Sequence, residues 1–256
     1  MTNYKEALFI VEGDRGEKSL IKRFNNILNK NWNYKMYSFK LSIYELKEIF
    51  KEMKKDSDLE FLGLLREKNP KISQYEKDVL SKEYTSIFLV FDFDPHYHLF
   101  DVTFLKELQC FFNDSREDGK LYINYPMLES YKHLKKMPDI SFLKSTYPAD
   151  KLTKYKEVVG KESDYIQLAS YTYIDLLQIT AHHLYKTYKM LVLEQDLYSV
   201  DAFRNLSTKH LKKIIDIQIE KIQQYNEVFI LNTSMFYIID IAPLSYFKKA
   251  KEYSIL

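Results

Sequence analysis

The sequence predicts an α/β fold: a mostly parallel sheet flanked by helices, followed by a helical cap. Three observations carry this. Two continuous apolar runs, Ala7-Leu8-Phe9-Ile10-Val11 and Ile87-Phe88-Leu89-Val90-Phe91, are each stopped by acid, the first at Glu12-Gly13 and the second at Asp92-Phe93-Asp94. Such runs read as central strands covered on both faces. Helical stripes alternate with the strands in a β-α-β-α-β-α-β order, the pattern of a parallel sheet. After Tyr125 the character changes to long helices rich in Tyr and Phe.

The elements follow in order. Gly13 and Gly16 permit a tight turn after the first strand, and Leu20, Ile21, Phe24, Ile27 and Leu28 then form the stripe of a helix over 17–28. A short strand is expected over 35–39. A second amphipathic helix is expected over 44–55, with Leu46, Ile49, Phe50 and Met53 on one face. Residues 56–84 are charged, helical in tendency and broken at Pro70, and read as an insertion before the Asp92 strand. A loop, Pro95-His96-Tyr97-His98, leads to a helix over 101–113. A turn over 113–119 then feeds a fourth short strand over 120–124. Beyond a boundary near residue 145, helices are expected over 165–193 and 206–225. The apolar segment 228–244, interrupted by Asn232, Asp240 and Pro243, reads as buried core. The organisation is therefore a catalytic α/β domain over 1–145 and a helical cap over 146–256.

The 256 residues are enough for a sizeable core, and 22 Tyr and 17 Phe against 5 Gly argue for a well-packed globule without a Gly-rich phosphate loop. A net charge of +2 does not by itself announce a polyanion partner. One cysteine, Cys110, excludes an intramolecular disulfide, and its helical surroundings read as a buried structural thiol. Glu6 and Glu12 bracket an apolar run too short for a secretory signal, and there is no stretch of 18 apolar residues. A cytoplasmic protein without membrane contact is expected.

In open α/β sheets ligands bind beyond the carboxyl ends of the strands. If the two apolar strands are neighbours, Glu12, Asp92 and Asp94 meet there, and crowded carboxylates are relieved by a hard cation such as Mg²⁺. Glu12-Gly13 with Asp92-x-Asp94 resembles the TOPRIM domain of topoisomerases, bacterial primases and the nucleases related to the overcoming-lysogenisation-defect proteins. The resemblance covers roughly residues 5–130. It implies that Glu12, Asp92 and Asp94 bind Mg²⁺ (or Mn²⁺) for phosphoryl transfer, with Glu12 as ligand or as general base.

The segment Asn124-Tyr125-Pro126-Met127-Leu128-Glu129-Ser130-Tyr131 is similar to the Asn-Pro-x-x-Glu-x-aromatic segment of RloB-like and abortive-infection TOPRIM proteins, although Tyr125 separates Asn from Pro here. This resemblance implies that Glu129 returns to the acids; the alternative is a solvated helix glutamate. Asp14 and Glu17 either add ligands or serve the turn and the helix dipole. His96 and His98 suit a proton shuttle better than an all-oxygen metal site, and the adjacent His182 and His183 read as structural. A strand ending in Asp-x-Asp also occurs in haloacid-dehalogenase phosphatases and in glycosyltransferases. The former need Thr or Val where His96 stands, and the latter lack a partner glutamate on the first strand.

Eight lysines face three acids between Ser130 and Lys161, and Tyr131, His133, Phe142, Tyr147 and Tyr155 are interleaved with them. Lys132, Lys135 and Lys136 lead this tract, which offers phosphate contacts and stacking surfaces to a nucleic acid; its plain alternative is a solvated face. The expected function is a Mg²⁺-dependent nuclease cleaving RNA, such as tRNA, or DNA. The resemblance implies a toxin-like role in anti-phage defence, restrained or triggered by a separate ATPase, because this chain has no phosphate-cradling Gly-x-x-x-x-Gly-Lys loop of its own. The released chain is expected to pair with itself, as a homodimer. The alternative is a non-catalytic subunit whose acids bind metal only to fix structure or dock a partner.

Overall fold

The computed structural model describes residues 6–28, 33–56, 58–69, 71–165, 167–194, 196 and 198–253. Pro70, the expected break in the insertion, lies outside them. The fold is α/β, with a mixed, mostly parallel sheet and flanking helices. The chain divides into two compact units, Met1–Lys18 with Lys30–Leu121, and Ser19–Asn29 with Tyr122–Leu256.

In the first unit, β1 (Glu6–Val11) pairs in parallel with β2 (Asn33–Ser38) on one side and β3 (Ser86–Asp92) on the other. The two apolar runs are thus neighbours, with Val11 opposite Val90. Leu8, Phe9, Ile10, Leu89 and Phe91 are wholly buried, as continuous apolar runs require. The strand order is β2-β1-β3-β5-β4, where β4 (Asn113–Asp114) and β5 (Gly119–Tyr125) form an antiparallel hairpin. Gly119 makes that hairpin possible: its φ is +128°, and a Cβ there would stand 2.7 Å from Leu89 Cδ1.

A helix, α1 (Gly16–Leu28), follows β1, its first turn in the first unit and the rest in the second. The helix expected over 44–55 starts as a 3₁₀ turn, Ile43–Leu46, and continues as α2 (Lys47–Lys55). The charged insertion forms α3 (Phe61–Lys68) and α4 (Gln74–Leu80), the latter opened by a Ser73–Glu76 capping box. Each buries a few apolar side chains, Leu64 and Leu65 in α3 and Val79 and Leu80 in α4, so the insertion belongs to the core. The next helix, α5 (Val102–Phe111), buries Phe104, Leu105, Leu108 and Gln109. Cys110 therefore falls off the buried stripe and is exposed, correcting the expectation of a buried thiol.

Beyond Ser19–Asn29, the second unit resumes at the far half of β5. Its main helices are α6 (Tyr155–Glu162), α7 (Tyr173–Met190), α8 (Val200–Asn205), α9 (Leu211–Tyr225), α10 (Tyr237–Ile241) and α11 (Pro243–Glu252). Three short strands complete it: β6 (Thr146–Pro148) pairs with β7 (Glu227–Phe229), and β8 (Leu231–Asn232) pairs antiparallel with Asn124 and Tyr125 of β5. That pairing is why the division falls at Leu121/Tyr122 and not near residue 145. The helix expected from 165 starts at Tyr173, where a Thr172–Asp175 capping box sets its first turn. The helix expected from 206 opens with a π turn, Leu206–His210.

His182 and His183 on α7 are structural, as expected. His182 Nε2 meets the Asp139 amide at 2.9 Å, and His183 Nδ1 meets the Asn232 amide at 3.0 Å. Burial holds the His183 imidazole neutral, its pKa down at about 3. One turn on, Lys186 is fully buried, its ammonium donating to Phe142 O, Ser145 O and Ser145 Oγ at 2.7–2.9 Å.

Candidate acidic site

The first unit places Glu12 immediately beyond β1 and Asp92 at the end of β3. Because those strands are parallel neighbours in register, the Glu12 side chain reaches across the strand ends. Its Oε2 accepts from the Asp92 amide at 3.0 Å, while the Glu12 amide donates to Val90 O at 3.1 Å. Burial pushes the Glu12 carboxyl up to about 7, against the Asp92 amide bond that lowers it, and the charges of Glu17 and Asp94 add to the rise.

Glu17, in the first turn of α1, is buried and folds back on the preceding loop, Oε1 accepting from the Gly13 amide at 3.1 Å. Gly13 leaves room for this approach: a Cβ there would stand 2.6 Å from Glu17 Oε2, and the carboxylate would have to shift. Glu17 therefore serves the turn while adding its charge to the Glu12 environment. Asp14 turns to Lys18 (2.7 Å) and Ser38 Oγ (3.0 Å), and these bonds hold its carboxyl below the usual range.

Asp94 is exposed, with Oδ1 accepting from the His96 amide at 3.1 Å. The His96 and His98 rings are also exposed, and His98 lies against Tyr97 at 4.5 Å between centroids. Tyr97, passed over in the sequence, is the better-placed loop residue. Its hydroxyl donates to Glu45 Oε1 at 2.6 Å, and its ring stacks on Tyr44. The Glu45 hydrogen bond, burial and the charges of Glu45, Glu12 and Asp94 raise the phenol above its ordinary value. Neither Glu45, on an irregular turn, nor Tyr97, between two histidines, carries a motif that would have singled it out.

Glu12, Asp92 and Asp94 thus share one sheet edge, with Glu17 behind them. Among the described residues no three His, Cys, Asp or Glu side chains form a group able to hold a metal ion. Backbone amides occupy an oxygen each of Glu12, Glu17 and Asp94, and Asp94 lies in solvent. The arrangement can accept protons near neutrality and attract cations.

The remaining expected residues lie in the second unit. Glu129, on a 3₁₀ turn over Leu128–Lys132, is largely buried and pairs with Lys156 at 2.7 Å. Lys132 is half-buried over the Tyr131 ring, and burial lowers its ammonium; Lys135 and Lys136 are exposed. The aromatic residues interleaved with these lysines are not stacking surfaces: Tyr131, His133, Phe142, Tyr147 and Tyr155 are all buried. The tract presents cations outward and packs its rings inward.

Comparison with protein-family models, curated proteins and solved structures finds no match to this chain.

Proposed function

We propose that the chain is a metal-dependent phosphodiester hydrolase acting on nucleic acid, with its reacting centre at the Glu12 edge of the sheet. One observation carries the reading: two adjacent parallel strands end in acids, and Glu12 there is held near neutral proton affinity by burial and by neighbouring carboxylates. Carboxylate oxygens are the donors a hard divalent cation such as Mg²⁺ takes, although among the described residues these acids do not stand as a closed ligand group. Glu12, Asp92 and Asp94 would hold it. When bound, Mg²⁺ supplies Lewis-acid polarisation of a phosphoryl oxygen. Where Glu12 is not itself a ligand, its raised proton affinity would suit it to take the proton of an attacking water. Lys132, Lys135 and Lys136 supply cations for the phosphate backbone. The TOPRIM resemblance extends the proposal to a defence effector governed by a separate ATPase.

The second reading is a metal-binding subunit without catalysis, in which the backbone amides that already engage Glu12 and Asp94 hold these acids as fixed structural elements. Incubating the pure chain with labelled RNA and DNA, in EDTA and with Mg²⁺ or Mn²⁺, decides between them. Cleavage is expected only with metal, and Glu12→Gln should slow it by about 10²–10⁴-fold. Full activity in Asp92→Asn would refute the assignment of the reacting centre to these acids, and no cleavage of any nucleic acid under any metal would refute the hydrolase reading. Thermal stabilisation by metal without any cleavage would establish the second one. Charge reversal of Lys132, Lys135 and Lys136 should flatten the salt dependence of nucleic-acid binding.

A further inference from the structure

Beside the acids, and within the same unit, lies a cavity of about 460 Å³ that no sequence motif announces. Its volume falls within the ~300–1,000 Å³ of small-ligand sites. Phe39, Ile49 and Leu65 form an apolar floor, each buried from bulk solvent, and Leu41 stands half-exposed at the mouth. The remainder of the lining is polar. Asn69 brings a carboxamide, anchored on the Tyr37 hydroxyl at 3.2 Å, and Lys40, Lys68 and Lys71 bring ammonium groups.

The charges are not equally committed. Glu45 is engaged by Tyr97, Glu48 by Lys51, and Glu76 by Ser73 and Lys40. Lys68 reaches Glu52 at 2.5 Å. Among the described residues Lys71 alone of the three lining lysines makes no ion pair, and it is exposed. Glu48 and Glu76 are therefore paired with ammonium groups and Glu45 with a hydroxyl, and the cation left for a ligand is Lys71.

The cavity is tied to the acids by two bonds. The Lys40 amide donates to Glu12 O at 2.9 Å, and Glu45, which borders the cavity, accepts the Tyr97 hydroxyl beside Glu12 and Asp94.

We propose that this cavity is a nucleotide subsite: it takes one nucleobase on the Phe39–Ile49–Leu65 floor, with a phosphate on Lys71, next to the phosphodiester at Glu12. The pairing of an apolar floor that includes the Phe39 ring with an amide and an unpaired cation suits a base bearing a phosphate. The inference rests on the hydrolase reading for what lies at Glu12, and the two are separable.

The test is calorimetric titration of the full chain with AMP, then GMP, CMP and UMP, in EDTA so that the acids play no part through metal. At least one nucleotide should bind more tightly than its nucleoside. Lys71→Glu should weaken that binding at least tenfold with an unchanged melting curve, and Glu12→Gln should leave it intact. In the cleavage assay Lys71→Glu should raise KM and spare kcat. No nucleotide binding by the native chain, unchanged binding in Lys71→Glu, or tighter binding of decanoate than of any nucleotide would overturn the inference. Nucleotide binding without cleavage under any metal would uphold the subsite and sink the hydrolase; cleavage indifferent to Lys71→Glu would do the reverse.

Discussion

Replacing Glu12 by glutamine isolates the electrostatics of the acidic edge. The carboxyl rises from an ordinary 4.5 to about 7, chiefly through burial, with Glu17 and Asp94 repelling the charged form. Each tenfold change in proton affinity is worth about 1.4 kcal/mol, so the ionised side chain destabilises the fold by up to about 3 kcal/mol. Because the folded pKa lies above the unfolded one, the folded state holds the proton more tightly. Stability is therefore fully present below about pH 4.5 and falls as pH rises through about 7. The amide of Glu12→Gln can still accept from the Asp92 N–H but carries no charge. Urea denaturation in EDTA should give equal stabilities at pH 4 and a variant more stable by up to about 3 kcal/mol at pH 8. Mg²⁺ should narrow that gap by stabilising the native chain alone. A variant no more stable than the native chain at pH 8, or an equal gap at both pH values, would refute the claim that Glu12 sits in a desolvated, anion-crowded place.

Two further perturbations read the second unit. Lys186→Met should be neutral or stabilising by up to about 4 kcal/mol, because it removes a desolvated charge. The oxygens it leaves keep donors: Phe142 O still accepts from Ser145 N and Oγ, and Ser145 O from Ile230 N. Only the native chain should gain stability from Lys186 as pH rises toward 10.5, since burial holds the folded pKa below the unfolded one; a loss above about 2 kcal/mol in a melt of the variant would contradict this. Val192 ends α7 at φ 52° with its side chain in solvent, while Leu193 N closes onto Tyr188 O. Val192→Gly should therefore stabilise by about 1 kcal/mol in chemical denaturation, since a β-branched residue is poorly suited to the left-handed region.

That the two acid-ended runs are central strands was legible because a five-residue apolar run bounded by turn residues fits a sheet covered on both faces, as the full burial of Phe9 and Leu89 shows. Their adjacency comes from the pairing and not from the runs themselves. The helix after β1 was legible from its stripe. What sequence did not carry was local direction. Cys110 differs from buried Gln109 by a single 100° step around α5, and no apolar count resolves which polar residue turns in. The aromatics between the lysines of 130–161 suggest an outward binding face, yet they pack inward because Tyr and His can satisfy their polar atoms there, as His133 does with Tyr155 at 3.1 Å. Lys40, Glu45 and Asn69 come together from separate segments, and their spacing in the chain encodes nothing of the cavity they line.

The division inside α1 has a consequence for how the chain becomes folded. Residues 19–29 belong with a unit whose remainder begins more than ninety residues later. Within that unit the Phe24 ring lies on Tyr131 and Tyr171, Arg23 donates to the carbonyls of Ala169 and Tyr171, and Asn25 accepts from Tyr237. A ribosome therefore releases the first piece of this unit well before Tyr131, the earliest of these partners, and long before Tyr237, the latest. A fragment starting at Tyr122 would emerge with a vacancy where Phe24 belongs, so the C-terminal half is no autonomous module to be cut free or transplanted.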